Sequence, residues 1–398
     1  MRRQNASTRS VERSVRDEDL LKSGLALLVD WTQPVYERFL EQVDHDVDSW
    51  WSRGTQEVKD GEFDFLKSRQ QKQLSALCAE PKKRLIQRVQ QWPGHVVVCH
   101  DVAYPQRLLD LQEPPAALHV VGDVGCLQRS GLAVVGSRKI GVAAASSARR
   151  VLQSAIESGL MIISGGARGA DAVAHRCAVD VGGATVVVLP SGLAKRSPKS
   201  NRRLFQDIAD GAGALISEYP PRQGVRRYHF HRRNRLIAGL SLGVLVLRAA
   251  QKSGTMLTVD AARELGRPLG AMSGAPEDPL SRGCHEILRQ GGRFIASSQD
   301  LLQWWKDLAP EQPVQQAQSV RDHQEERAAR SWMPDCPILK KAVELVDATG
   351  CFSSEALARQ TEASAAELQT LLLRHELSGI IERATGGDRY RFRHGDCH

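Results

Sequence analysis

The sequence predicts an α/β chain: a doubly wound, mostly parallel sheet, preceded by a helical N-terminal region and followed by a C-terminal winged-helix domain. Three observations predict it. Short apolar runs alternate with helix-like segments through the middle of the chain, the order that builds parallel sheets with helices on both faces. Two of those runs, Val134-Val135 and Ile162-Ile163, are followed by small residues and an arginine, in Gly136-Ser137-Arg138 and in Ser164-Gly165-Gly166-Ala167-Arg168-Gly169. After Pro337, three helix-like stretches precede a hairpin pattern around Gly386-Gly387.

Residues 1–92 are polar with apolar residues at helical spacing: Leu20-Leu21, Leu25–Leu28, Val35, Phe39-Leu40 and Val43. Trp50-Trp51 read as core anchors of a small accessory region. From 93 to 308 the pattern changes. Val96–Cys99 and Leu118–Val121 read as strands, joined through the turn-rich Tyr104-Pro105 and Glu113-Pro114-Pro115. Further strands are expected at Ala133–Val135, Met161–Ile163, Thr185–Leu189, Ala214–Ile216, Val244–Leu247 and Pro268–Ala271. Helices are expected between them at Val142–Ser158, Ala170–Val181, Arg202–Ala209 and Met256–Leu265. Gly159, Gly182-Gly183 and Gly266 stand where helix C-caps fall. Residues 309–336, with Pro310, Pro313, several glutamines and a mixed-charge run, read as a linker. In 337–398, Ile338–Ala348, Ser353–Gln360 and Ser364–Ser378 read as three helices, and Ile380–Arg383 with Arg389–Phe392 as a hairpin.

Composition narrows the function classes. The 398 residues are 41% hydrophobic and 25% charged, ordinary for a globular protein, and no apolar run approaches a membrane span. Met1-Arg2-Arg3-Gln4-Asn5 leads into charged sequence rather than an apolar signal core, so a cytoplasmic protein without membrane contact is expected. The eight cysteines are scattered without a C-x-x-C pair, which reads as reduced thiols rather than a disulfide frame or zinc site. The formal charge is +8 and is unevenly spread: Leu193–Arg235 carries eleven Lys/Arg against three acids. Such a run, lying between the Gly/Arg segments and the later Lys252-Ser253-Gly254-Thr255 turn, predicts a groove for a polyanion. Ile338–His398 holds eight basic and nine acidic residues, so its pattern favours a protein-contacting or vestigial module over a duplex reader.

The Gly/Arg segments have the design of anion sites: a strand ends, glycine admits close backbone approach, the next helix offers free N–H groups, and arginine adds charge. Specific nucleotide fingerprints fail. Ser137-Arg138 stand where a dinucleotide motif needs its second glycine, and Val142-Ala143 replace the Lys-Ser/Thr of a P-loop. No carboxylate cluster for Mg²⁺ is evident, and His229 and His231 lack a third metal ligand, so neither metal nor cofactor is expected. Lys252-Ser253-Gly254-Thr255 follows a third strand and adds another phosphate-facing turn. Arg233-Asn234-Arg235 is expected to open an apolar helix, with two guanidiniums near its N-terminus.

These residues resemble the DNA-processing protein A (DprA/Smf) family. The resemblance runs through Tyr104-Pro105, Val135–Arg138, Ser164–Asp171, Ala174-His175, Val187–Gly192, Asn201–Leu204, Ser217–Pro220, Phe230–Ser241 and Ser253–Thr258. It implies an extended Rossmann-like core that dimerises and binds single-stranded DNA without sequence preference. It also implies that the protein is no enzyme, contacts the RecA recombinase, and helps load it onto strands coated by single-strand-binding protein, in natural transformation or recombination. Carried onto this chain, Gly136, Ser137 and Arg138 would contact the strand backbone, with Ser164, Gly165, Ser253 and Gly254 alongside. Lys199, Arg202 and Arg203 would supply basic positions, and Arg168, Arg233, Asn234 and Arg235 would line the pocket.

The chain departs from the family pattern at Arg248, where an acid is usual, at His231, where a proline is usual, and at His285, near a usual asparagine. Arg248 would either deepen the positive site or rewire an ion pair. Two other readings remain open. One is a Rossmann-like nucleotide phosphoribohydrolase, although Ser253–Thr258 puts threonine where that chemistry needs its carboxylate. The other is a winged-helix regulator on an inert scaffold.

Overall fold

The computed structural model describes residues 22–25 and 28–309 and, further on, 341, 345, 351–361, 368–369, 371–372, 381–383 and 389–392. It divides into two compact units on either side of residue 320. The expected linker, Ala309 apart, the first C-terminal helix beyond Lys341 and Leu345, and the Gly386-Gly387 turn lie outside the described residues.

After helical residues at 22–25, the described part of the first unit runs through α1 (Gln33–Gln42), α2 (Val47–Trp50), α3 (Gly54–Lys59), α4 (Ser68–Cys78) and α5 (Lys82–Gln90). They close over an aromatic core in which Phe39 meets Trp50 edge-on at 5.0 Å and Phe63 at 5.6 Å. Trp50 and Trp51 are both buried, as their sequence context predicts. This core is continuous with the apolar layer under one face of the sheet.

The sheet has nine strands: β1 (His95–Val98), β2 (Ala117–Gly122), β3 (Gly131–Gly136), β4 (Met161–Ser164), β5 (Thr185–Val188), β6 (Gly213–Ser217), β7 (Val244–Arg248), β8 (Leu269–Ala271) and β9 (Arg293–Phe294). Their order is β1-β2-β6-β5-β4-β3-β7-β8-β9. Neighbours from β6 to β9 run parallel, and only β1 and β2 at one edge are antiparallel. The central strands read as continuous apolar runs because both faces are covered. Ala133 and Val135 of β3 face the layer that holds α9 (Arg227–Leu240), α10 (Gly254–Glu264) and α11 (Arg282–Arg289). Leu132 and Val134 face the opposite layer, with α6 (Val142–Glu157), α7 (Ala170–Asp180) and α12 (Ser298–Leu308). The remaining helix, α8 (Arg202–Ala209), covers β5 and β6. Strand order reverses at β3, which has β4 on one side and β7 on the other. In open α/β sheets, ligands bind in the crevice at such a point, beyond the carboxyl ends of the strands.

Two features depart from the expectation. The helix carrying Arg233 begins at Arg227, so Arg233, Asn234 and Arg235 lie mid-helix rather than at its N-terminus. Arg226 is extended, and His229 anchors the first turn with its Nδ1 3.0 Å from Pro190 O. Apolar periodicity begins only at Leu236, so the polar first turns gave no helical signal. The second concerns β9, α11 and α12, which the sequence reading did not place; β9 is a two-residue exposed edge strand that pattern cannot reveal.

In the second unit, β10 (Cys351–Ser353), β11 (Ile381–Arg383) and β12 (Arg389–Phe392) form an antiparallel sheet in the order β10-β12-β11. Helix α13 (Ser354–Gln360) follows, its N-terminus capped by Ser353 Oγ, which accepts from Ala356 N at 3.0 Å. Phe352, Leu357, Leu368, Leu372 and Tyr390 make its core. The hairpin read from sequence is present, and β10 adds the third strand of a winged helix.

His119 in β2 is buried edge-on against Trp92 at 5.8 Å, and neither ring nitrogen has a hydrogen-bond partner. Burial pushes its pKa down from 6.5 to about 3. The unfolded chain takes up this proton near pH 6.5 and the folded chain does not, so stability falls as pH drops through that window and is unaffected above it. The slope is about 1.4 kcal/mol per pH unit for one proton. His119→Phe keeps the edge-on contact and is expected to raise stability at pH 5 and to flatten the pH dependence by about one proton. Denaturant midpoints at pH 5 and pH 8 check this.

Candidate phosphate-binding site

The two Gly/Arg loops meet at the carboxyl ends of β3 and β4, on the switch-point side of the sheet. Ser137 N donates to Arg248 O at 2.7 Å, and Ala170 N donates to Ser137 O at 3.0 Å, so each loop is tied to a neighbouring element. The glycines have reasons internal to the protein. A Cβ on Gly165 would lie 2.3 Å from Arg233 Nη1, and one on Gly136 would lie 2.7 Å from Ala170 Cβ. Gly169 has φ +80, and a Cβ there would lie against Ser137 O at 2.4 Å. These glycines make room for the Arg233 guanidinium and the facing loop.

Arg233 reaches across the sheet end from α9. Its side chain is buried, and its Nη1 donates to both Gly165 O and Val188 O while its Nε reaches Asn234 Oδ1 at 3.3 Å. No carboxylate lies within 4.0 Å of it among the described residues. Burial pulls its pKa down to about 10, with buried Asp171 acting in the opposite sense. Burial likewise raises the Asp171 carboxyl above its usual range, opposed first by Arg233. Asp171 accepts from Ala167 N at 3.2 Å and so holds the second loop rather than the arginine.

Two pockets open above this guanidinium. The smaller, about 330 Å³, is walled by Arg138, Arg168, Pro190, Pro198, Phe230 and Arg233. The larger, about 610 Å³, runs from Gly136–Lys139 to Ser253–Thr255 and includes Asp171, Arg227 and Asn234. They share Arg138, Ala167, Phe230 and Arg233. The Arg138 guanidinium lies 5.3 Å from the centroid of the Phe230 ring, in reach of a cation–π contact. Asn201 fixes the small pocket's far wall, donating to Gly166 O at 3.0 Å and Ala167 O at 3.2 Å. A still larger groove of about 970 Å³ lies between the N-terminal helices and Pro220–Gln223. It lacks the glycine loops and the buried Arg233.

Of the residues singled out from sequence, Gly136, Ser137, Arg138, Gly165, Arg168, Arg233, Asn234, Ser253 and Gly254 line these pockets. Ser164 is buried beneath them, its hydroxyl donating to Val134 O at 2.6 Å. Lys199, Arg202 and Arg203 are exposed on the flank and form no part of either wall. Arg235 turns away from the site; it pairs with Glu218 and donates to Glu113 O. Acids do pair with this basic segment: Asp30 and Glu113 from elsewhere in the chain and Glu218 from within it. Sequence reasoning did not select Lys139, Asp171, Arg227 or Phe230, although Phe230 stands three residues before Arg233 on one helix face. Arg248 is the rewired ion pair: it pairs with Asp278 and donates to Ile140 O at 3.1 Å, outside both pockets.

Gly165→Ala is expected to displace the guanidinium and destabilise the protein by about 1–3 kcal/mol, the usual cost of overpacking. A denaturant midpoint measures this.

A family model described as DNA recombination-mediator protein A matches residues 95–306, and one for the DprA winged helix domain matches residues 348–387. The DNA processing protein DprA of Streptococcus pneumoniae is 38% identical over 218 residues, 55% of this chain and 76% of that protein. Protein Smf of Escherichia coli is 37% identical over 223 residues, 54% of this chain and 60% of that one. The X-ray structure of the pneumococcal DprA covers 72% of this chain and 97% of its own, with 29% identity and a TM-score of 0.59. With an extended Rossmann-like sheet, a winged helix and matches of this extent, the chain belongs to the DNA recombination-mediator protein A family.

Proposed function

We propose that the two pockets bind single-stranded DNA without sequence preference, and that the chain acts as a recombination mediator. The observation that carries this is Arg233: a buried guanidinium, without a carboxylate in contact, opening into both pockets beside exposed Arg138 and Arg168. A buried cation that lacks a counter-ion is stabilised when an anion enters. Recesses of this size accept an unstacked nucleotide but not the surface of a duplex. Phe230 offers an aromatic wall that any base can meet, which is tolerant of sequence. Backbone contacts through Gly136, Ser137, Ser253 and Gly254 would complete the phosphate environment, and Lys199, Arg202 and Arg203 would extend a basic track along the flank.

In this reading the chain works as a homodimer in the cytoplasm, contacts the RecA recombinase and helps load it onto strands that single-strand-binding protein covers, in transformation or recombination. The family's description as a mediator supports the role. The winged helix, with its balanced charge, serves protein contact. Binding rather than catalysis is favoured by the carboxylates: Asp260 pairs with Arg263 outside both pockets, and Asp171 is engaged with Ala167 N. Incubation with nucleoside monophosphates is therefore expected to release no free base.

Titration with single- and double-stranded oligonucleotides across salt tests the assignment. Tight single-strand binding with a steep salt dependence is expected. Arg138→Ala and Arg168→Ala should each weaken binding and lower the salt slope by roughly one contact, whereas Arg235→Ala should leave the slope unchanged. Wild-type affinity for Arg138→Ala at matched salt would remove the pocket as the binding site. Removal of residues 337–398 is expected to spare single-strand binding; its loss would give the winged helix the DNA role.

A further inference from the structure

Helix α9 has two working faces. Phe230, Arg233, Asn234 and Ile237 follow one helical stripe and line the pockets. Arg232 and Arg235 lie on another stripe, three residues apart, and are held by acids. One acid, Glu218, follows β6 of the sheet; its side chain is 7% exposed. Another comes from the N-terminal helical region. Asp30 bridges Arg69 at 2.8 Å through one carboxylate oxygen and Arg232 at 3.1 Å through the other.

The bridge is built rather than incidental. Asp30 has φ 66, a left-handed backbone open to Asp and Asn but costly for most side chains. Its carbonyl accepts from Gln70 Nε2 at 2.9 Å, and Gln70, which is buried, accepts in turn from Lys67 N at 2.9 Å. The carboxylate is therefore fixed to α4 before it meets Arg232. Arg232 lies next to the residue whose guanidinium must reach Gly165 O and Val188 O. A small rotation of α9 would carry Arg233 off those carbonyls.

We propose that Asp30 is a positioning residue of the phosphate site: the N-terminal helical region uses it to clamp Arg232 and so hold α9 in the rotation that presents Arg233, Phe230 and Asn234 to the pockets. The effect on DNA rests on the single-strand reading, whereas the effect on the helix does not.

Asp30→Asn in the full chain keeps the side-chain shape and the left-handed turn and removes only the charge. Binding of a fluorescent oligothymidylate is expected to weaken by roughly fivefold to tenfold with an unchanged salt slope, and amide exchange across 227–240 is expected to quicken. Arg232→Gln, which also gives up the longer approaches to Glu218 and Glu113, should lose at least as much, and the double variant should lose no more than Arg232→Gln alone, because the Asp30 contribution runs through Arg232. Additive losses, undisturbed amide exchange, or wild-type affinity in folded Asp30→Asn would overturn the proposal. Tighter binding with a steeper slope would also overturn it, since the acid would then merely mask a phosphate contact. Should Asp30→Asn not fold, Arg232→Gln alone decides by the exchange and slope criteria. If the wild-type protein bound no oligothymidylate, the single-strand reading would fall, and the exchange of 227–240 would still decide the clamp.

Discussion

The site depends on one buried charge. Transfer of a guanidinium from water into a protein costs several kcal/mol unless its hydrogens are met. Arg233 meets part of that demand with two main-chain carbonyls, one from each of two neighbouring strand ends, and with its helical neighbour Asn234. Among the described residues it makes no carboxylate contact, so the charge is hydrogen-bonded but not paired. The rest of the region follows from that need. Gly165 leaves space for the group, Asp171 and Asn201 hold the loop that supplies a carbonyl, and the sheet's switch point supplies the crevice.

A second constraint is the sorting of arginines on α9. Three of them lie within four residues, yet their partners differ. Arg233 points into the sheet end, while Arg232 and Arg235 are drawn to Asp30 and Glu218. The sorting gives a long basic segment a limited number of free cations. Of the Leu193–Arg235 run, the flank residues Lys199, Arg202 and Arg203 stay exposed, whereas Arg232 and Arg235 are committed to structure. Local charge density in a sequence therefore overstates the charge available to a ligand. The departure at Arg248 is another case: an arginine beside the first Gly/Arg loop is committed to an ion pair with Asp278 and a bond to Ile140 O.

Much of the architecture was legible because it rests on local, periodic signals. β4, β5 and β7 are short apolar runs bounded by glycines and helices, and each appears within a residue or so of its expected bounds. Helices with an apolar stripe throughout, such as Val142–Glu157, were equally clear. The start of α9 was not, because its first turns hold Arg227, Tyr228, His229 and His231, whose stability comes from tertiary contacts such as Pro190 O. Strand β9 was not, because two residues carry no period.

The sequence by itself determined that a basic, glycine-punctuated, doubly wound sheet would gather its Gly/Arg loops beyond the strand ends, since hydrophobic period and turn chemistry act over short spans. It also determined that no nucleotide fingerprint was complete. Only the tertiary structure decided which arginines face the crevice. That choice turns on acids distant in sequence, Asp30 lying 202 positions from Arg232, and on the carbonyls of two separate strand ends that accept one guanidinium. Such pairings are made by the packing of layers, and no local pattern encodes them.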